Sequence, residues 1–254
     1  MIKNNESSFD AQGMITVSNP KSPAVEAYHT LRTNILFASL DKPVHSILVT
    51  SPLPGNGKTT TAVNLGVTIA RTGASVLLAD ADLRKPTLHK MFNQGNMAGL
   101  TSLLVDKNLR PGDVTLPTGV ANLSFIPSGP IPPNPSELIV SHAFADVLEN
   151  LKESCDYLLV DSPPVIAVTD PVLLSRYVDG TILVIAFGSV PREMAQKAKE
   201  QLQNINANIL GVVLNRIPTN GHGYYYYYYQ QYYGEKEKKR GFLSRWKKRR
   251  GKRK

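Results

Sequence analysis

Short apolar runs alternate with amphipathic segments along the chain between about residue 46 and residue 214. Most of these runs have no polar interruption, which is typical of strands buried on both faces of a parallel sheet. The segments between them carry apolar residues at helical spacing. The predicted strands are 46–50, 75–80, 123–126, 157–161, 180–187 and 209–214. The predicted helices are 22–40, 59–72, 134–150 and 191–204.

This alternation predicts an α/β fold with a doubly wound, mainly parallel sheet. Ligands of such sheets bind beyond the carboxyl ends of the strands, so the loops there are the place to look for chemistry. Residues 1–20 are polar and aperiodic, and we expect a flexible arm. Residues 21–220 form the predicted domain, and residues 221–254 are expected to be a disordered tail.

Charge is concentrated at one end of the 254-residue chain, whose formal net charge is +9. Residues 235–254 hold 12 basic and 2 acidic residues, which leaves 17 basic and 18 acidic residues for 1–234. A basic tail on a near-neutral body favours an anionic membrane surface or an acidic partner, and we expect no nucleic acid. The single Cys155 and the lack of an apolar leader predict a reducing cytoplasm.

The first predicted strand runs into a glycine-rich loop, residues 51–60, and then into a helix. Such a loop turns backbone N–H groups around a polyphosphate, with a lysine on the phosphates and a hydroxyl on Mg²⁺. One departure is Pro52, where the strict motif has glycine; the alternative is a glycine turn that merely starts a helix. The candidate nucleotide-binding residues are Gly55, Asn56, Gly57, Lys58, Thr59 and Thr60.

Acidic residues follow two further predicted strands. Asp80 and Asp82 lie where the strand 75–80 opens into a loop, and Asp161 ends the strand 157–161. Carboxylates in these places hold Mg²⁺ or accept a proton from an attacking hydroxyl in phosphoryl-transfer enzymes. The alternative for Asp80 and Asp82 is a solvated turn with a surface ion pair.

Four segments together resemble the bacterial tyrosine kinases (BY-kinases) of capsular and exopolysaccharide assembly: residues 51–60, 80–89, 161–164 and 211–217. The resemblance covers about residues 20–233, in order. It implies a P-loop NTPase of the partitioning-ATPase-like superfamily that transfers phosphate from ATP to protein tyrosine. It also implies autophosphorylation of the tail and control of polysaccharide synthesis and export.

The same resemblance assigns roles within the site. The catalytic residues are Lys58, Asp80 and Asp82, with Asp80 as the base. The Mg²⁺ residues are Thr59, Asp80 and Asp161, and Asn215 contacts the adenine.

Eight of the eleven tyrosines lie within ten residues near the end of the chain. Neither helical nor strand periodicity uses an aromatic residue at every position, so a packed core does not explain this run. A mobile segment that displays phenol groups does. The predicted phosphoacceptors are Tyr224, Tyr225, Tyr226, Tyr227, Tyr228, Tyr229, Tyr232 and Tyr233.

The resemblance also implies partners. The family uses a Glu-x-x-Arg-x-x-Arg helix at the subunit contacts of a ring, and this chain has Glu26 and Arg32 with His29 between them. Spacing alone equally fits a solvated helix face. With no apolar run of spanning length, the chain resembles the form activated by a separate transmembrane adaptor of the polysaccharide co-polymerase type. Such a kinase is peripheral at the inner face of the membrane and phosphorylates other proteins. A phosphotyrosine phosphatase removes the phosphate groups that it adds.

Two other classes stay open at this point. One is a membrane- or nucleoid-positioning ATPase without kinase activity, but those carry a lysine where this chain has Leu53 and a glycine where it has Pro54. The other is a nucleic-acid-binding module, in which aromatic and basic residues interleave. Here they form separate blocks, which argues against it.

Overall fold

The computed structural model describes residues 13–38 and 42–218. The helices are α1 Ile15–Ser18, α2 Pro23–Ala38, α3 Lys58–Ala70, α4 Leu88–Met91, α5 Leu100–Val105, α6 Pro111–Val114, α7 Pro135–Ile139, α8 His142–Glu153, α9 Asp170–Leu174 and α10 Arg192–Gln203. The strands are β1 Ser46–Thr50, β2 Val76–Asp80, β3 Leu116–Pro117, β4 Leu123–Ile126, β5 Tyr157–Asp161, β6 Gly180–Ala186 and β7 Ile209–Asn215.

The seven strands form one sheet in the order β3-β4-β2-β5-β1-β6-β7. All neighbouring pairs are parallel except the short β3, which is antiparallel to β4. One apolar core packs α1, α2 and α3 on one face, and a second packs α5, α7 and α8 on the other. The prediction of a doubly wound, mainly parallel sheet is therefore confirmed.

The six predicted strands are present, with ends that differ by one residue at most. The predicted helix 134–150 is wrong as one element, because the chain leaves the helix between α7 and α8. Ser141 has extended backbone there, and its hydroxyl oxygen accepts a bond from the Phe144 N–H at 3.2 Å. An N-cap of this kind starts a new helix, which the apolar spacing alone does not reveal.

The prediction of a flexible arm over residues 1–20 is wrong for its second part. Met14 is fully buried, and α1 packs against α3. The side-chain oxygen of Asn64 accepts bonds from the Thr16 N–H and hydroxyl at 3.0 and 2.8 Å, and its amide donates to the Gly13 carbonyl at 2.8 Å. Residues 1–12 and the predicted tail 221–254 lie outside the described residues, so an arm before residue 13 and the boundary at 220 stay predictions.

Parallel pairing of β2 with β5 positions the candidate site. Asp80 and Asp161 are register partners at the carboxyl ends of the two strands. Because β1 follows β5 in the sheet, the glycine-rich loop after β1 opens at the same edge. Three separate stretches of sequence therefore meet at one edge of the sheet.

We expect Asn64→Ala to lower the free energy of unfolding, because it leaves buried backbone and hydroxyl groups of residues 13–16 unpaired. Each such group costs about 1–3 kcal/mol. The measurement is urea unfolding followed by circular dichroism, with Asn34→Ala, an exposed asparagine of α2, as the matched control. Equal midpoints for the two variants would show that Asn64 does not hold the segment.

Candidate active site

The glycine-rich loop between β1 and α3 has the backbone of a phosphate cradle. Gly55 and Gly57 have positive φ angles of 76° and 89°, and Gly57 caps α3. A Cβ atom at Gly57 would also collide with the amide nitrogen of Asn215. Both glycines are thus required by conformation, which fits their predicted place in a P-loop.

Asn56 was predicted to bind nucleotide, but its side chain serves the loop itself. The amide donates to the Leu53 carbonyl at 2.9 Å, and its oxygen accepts from the Ala186 N–H at 2.9 Å. Asn215 donates in turn to the Asn56 carbonyl at 3.0 Å. These bonds join the loop to β6 and β7, and they leave only the Asn56 main chain for a ligand.

Lys58 and Thr59 meet the acidic residues. The Lys58 Nζ lies 3.1 Å from an Asp82 carboxylate oxygen and 3.8 Å from Asp161 Oδ1. The Thr59 hydroxyl donates to Asp161 Oδ2 at 2.6 Å. The structure therefore brings together four of the predicted site residues, and Thr60 follows them in the first turn of α3.

Asp80 is fully buried, as Asp161 is, whereas Asp82 keeps a small exposed surface. The Asp80 oxygens accept bonds from the backbone N–H groups of Asp82, Thr87 and Leu88 at 3.2, 2.9 and 2.9 Å. These donors belong to the segment that follows β2. That segment consequently wraps over Asp80 and separates it from solvent.

Burial dominates the electrostatics of the site. Desolvation, followed by repulsion from Asp161, raises the pKa of Asp80 to about 7. Desolvation also raises the pKa of Asp161, against the lowering effect of Lys58. Burial lowers the pKa of Lys58, but the charges of Asp161 and Asp82 outweigh this and the net change is upward. The carboxylates are thus short of positive charge.

The residues present fit a magnesium ion. Asp161 Oδ1 is buried and accepts no hydrogen bond from the described residues, and the Thr59 hydroxyl lies beside the same carboxylate. Hard oxygen donors of this kind are the ones that Mg²⁺ prefers. Residues 13–38 and 42–218 contain no cage of three or more acidic, histidine or cysteine ligands. Mg²⁺ is commonly bound through one or two carboxylates together with substrate phosphates and water.

Other predicted residues lie away from this cluster or outside the described residues. Glu26 is exposed on α2, and the Arg32 guanidinium donates to the Thr68 carbonyl of α3 at 3.2 Å. Arg32 therefore has a partner within its own chain. The predicted phosphoacceptors, residues 224–229, 232 and 233, lie outside the described residues.

Sequence reasoning missed several residues that surround the site. The Thr87 hydroxyl lies 3.1 Å from the Thr59 hydroxyl, and Arg84 pairs with the buried Asp170 at 2.7 Å. Thr87 and Arg84 fall inside the family-like segment 80–89, which was the available signal. No sequence signal points to Asp170, because it lies at no predicted strand end and in no motif.

Comparisons with known proteins agree on the family. The ParA family, described as NUBPL iron-transfer P-loop NTPase, matches residues 42–240. Tyrosine-protein kinase YwqD of Bacillus subtilis is 42% identical over 214 residues, which cover 84% of this chain and 90% of that protein. Tyrosine-protein kinase CpsD of Streptococcus agalactiae is 37% identical over 216 residues, 85% of this chain and 92% of that protein.

Solved structures agree with this family. The crystal structure of the chimerical protein CapA2B2 is 42% identical, with a TM-score of 0.78, and covers 82% of this chain and 91% of that chain. The septum site-determining protein MinD of Pyrococcus horikoshii is 23% identical, with a TM-score of 0.57 over 71% of this chain and 72% of that chain. MinD thus shares the fold alone. With its P-loop, its acidic cluster and these relatives, the chain belongs to the bacterial tyrosine-protein kinases, a branch of the ParA-like P-loop NTPases.

Proposed function

We propose that this protein is an ATP-dependent protein-tyrosine kinase that phosphorylates its own C-terminal tyrosine cluster and thereby regulates the synthesis and export of capsular or extracellular polysaccharide. The observation that carries the proposal is the cluster of Lys58, Thr59 and the carboxylates of Asp82 and Asp161. It occurs in a chain 42% identical to a tyrosine-protein kinase.

Lys58 has two sets of partners in this scheme. Without nucleotide its ammonium group is held by Asp82 and Asp161. ATP phosphates in the loop compete for the same charge, and the positive end of α3 adds to their binding. Transfer of Lys58 to the phosphates then frees the Asp82 carboxylate.

The reaction moves the γ-phosphoryl group of ATP to a tyrosine oxygen, the phenol proton passes to a carboxylate, and ADP leaves. Asp80 is the proposed base, because its raised pKa suits a group that takes up a proton near neutral pH. The backbone N–H groups of Asp82, Thr87 and Leu88 donate to the Asp80 carboxylate and hold it in place for this role. Asp82, freed from Lys58, lies nearer to the surface and completes the pair.

Thr59, Asp80 and Asp161 are the residues that would hold Mg²⁺. When bound, the ion supplies positive charge to the phosphates and to the crowded carboxylates. Asn215 borders the loop and is the proposed adenine contact.

The partners remain proposals. No helix in the described part of the chain is long and apolar enough to cross a membrane. We propose a cytoplasmic kinase held at the inner face of the membrane by a transmembrane adaptor, and a ring whose contacts include Glu26 and Arg32. Other tyrosine substrates and a phosphotyrosine phosphatase complete the scheme. The relatives do not favour a positioning ATPase, and Leu53 stands where that class uses a lysine.

We expect Lys58→Met to reduce phosphotyrosine formation by at least about a hundredfold, because one preorganised charge on the phosphoryl group is worth that much in rate. The measurement is a phosphotyrosine immunoblot after incubation with Mg²⁺ and ATP, with and without the adaptor's cytoplasmic segment. Lys107→Met removes an exposed lysine and serves as the matched control. The kinase proposal fails if the unmodified protein with its activator forms no phosphotyrosine, or if Lys58→Met retains it.

We expect a chain that ends at Gly223 to lose autophosphorylation but to phosphorylate the tail of a Lys58→Met protein. The truncated chain keeps every described residue of the site and loses all eight clustered tyrosines. Mixing the two proteins with labelled ATP and separating them by mass measures this transfer. Label on the truncated chain itself would show that the acceptors lie elsewhere.

We expect the nucleotide-free protein in EDTA to lose stability as pH rises. The folded pKa of Asp80, about 7, lies above the unfolded value of about 3.9. The contribution of Asp80 to the free energy of unfolding is therefore fully present below about pH 4, and it is lost as pH rises through the folded pKa. Thermal unfolding between pH 4 and 8 measures the slope, and Asp80→Asn should flatten it. Mg²⁺ at pH 8 should raise the melting temperature of the unmodified protein more than that of Asp161→Asn.

A further inference from the structure

Arg84 lies on the segment after β2, two residues beyond Asp82. Its guanidinium makes two bonds to the Asp170 carboxylate, from Nε at 2.7 Å and from Nη2 at 3.0 Å. Nη2 also donates to the Ser136 hydroxyl at 2.8 Å, which itself donates to Asp170 at 2.7 Å. Asp170 is fully buried, whereas the Arg84 side chain is 38% exposed. Three segments distant in sequence therefore meet in one charged triangle.

The turn that carries Arg84 is also held at its other end. One oxygen of Asp82 accepts from the Lys85 N–H at 3.0 Å, and the other pairs with Lys58. The turn is thus fixed on the inside by Asp82 and on the outside by Arg84. A shift of the outer anchor moves the carboxylate on the inner side.

Asp170 provides a firm anchor because its segment is joined to the P-loop. The Val165 N–H donates to the Ser51 carbonyl at 2.8 Å, and the Ile166 N–H to the Pro52 carbonyl at 3.3 Å. Asp170 then starts α9, which packs against β1 and α7. The Arg84–Asp170 pair therefore connects the loop after β2 to the loops after β5 and β1.

We propose that Arg84 is a positioning residue that, with Asp170 and Ser136, holds the Asp82 carboxylate in register with Lys58. The proposal rests on the proposed kinase function. A guanidinium suits this role because its planar fork fixes direction as well as charge, which a lysine does not. Loss of the Arg84 side chain removes no contact with the P-loop. We therefore expect it to reduce phosphoryl transfer while leaving nucleotide affinity nearly unchanged.

The test compares Arg84→Lys, Ser136→Ala and Arg84→Gly with the unmodified protein. Arg84→Lys keeps the charge beside the buried Asp170 and so protects the fold, but loses the two-bond geometry. We expect kcat for tyrosine phosphorylation to fall by about tenfold to a hundredfold, the effect of a small misplacement at a reacting centre. The Kd of a fluorescent ADP analogue should stay within about twofold. Ser136→Ala should give a smaller fall in kcat.

Arg84→Gly adds a chemical readout, because the partly exposed position is open to a small cation. Free guanidinium at low millimolar concentration should restore part of kcat with saturation, whereas equal sodium chloride should not. Arg110→Lys is the matched control, because Arg110 is an exposed arginine away from the site. Its neighbours Pro111 and Gly112 line a cavity with Ser75 at the amino end of β2, whereas the site lies at the carboxyl end. It should behave like the unmodified protein.

The outcomes separate this proposal from the kinase proposal. An unmodified protein without phosphotyrosine activity contradicts the kinase function itself. An active protein whose Arg84→Lys variant keeps full kcat, or loses nucleotide binding and melting temperature in proportion to kcat, contradicts the positioning role. The positioning role is also contradicted if guanidinium restores no more of the kcat of Arg84→Gly than equal sodium chloride does.

Discussion

Three carboxylates lie around one ammonium group at the carboxyl edge of the sheet, and the arrangement of the site depends on that imbalance of charge. Parallel register brings Asp80 opposite Asp161, and the turn after β2 adds Asp82. Burial raises the pKa of Asp80 and of Asp161, so each charge has a cost in free energy. Lys58 and the Thr59 hydroxyl offset part of that cost for Asp161, and the Thr87 and Leu88 N–H groups offset part of it for Asp80. The fold thus holds in place a cluster of carboxylates that a divalent cation would stabilise further.

Such a cluster persists only if rigid parts of the fold determine it. The sheet fixes Asp80 and Asp161 through backbone hydrogen bonds, which cannot rearrange without breaking the strands. Asn56 fixes the P-loop to β6, and Asn64 holds the N-terminal segment on the helix that starts at Lys58. Stability is traded for function here, as active sites commonly require. The side chains of Asn56 and Asn64 are hydrogen-bonded at both their oxygen and their nitrogen, whereas Asp161 Oδ1 has no hydrogen-bond partner among the described residues.

The sheet was predictable because strands buried on both faces carry an uninterrupted apolar signal, and the P-loop and acidic residues because they follow those strands. The failures have local causes. Ser141 breaks a helix by capping the next one, which competes with apolar spacing that continues through it. The packed conformation of residues 13–18 depends on hydrogen bonds to Asn64, some fifty positions away in the sequence, and no local pattern encodes such a contact. Asp170 was missed, and the bonds of the Asn56 side chain were not predicted, because tertiary contacts decide both.

Lys58 is the point at which charge balance and catalysis connect. An ammonium group that is already desolvated and aligned by carboxylates needs little reorganisation when phosphates arrive, which is the condition for strong electrostatic stabilisation. In the proposed mechanism, its departure to the phosphates would leave Asp82 and Asp161 without their counterion, and the carboxylates would then gain affinity for a divalent cation. Binding of nucleotide and of metal would therefore be coupled through one side chain. The fold has only to keep the carboxylates from moving apart in the interval, and the backbone N–H groups on Asp80 and the pair formed by Arg84 and Asp170 provide that restraint.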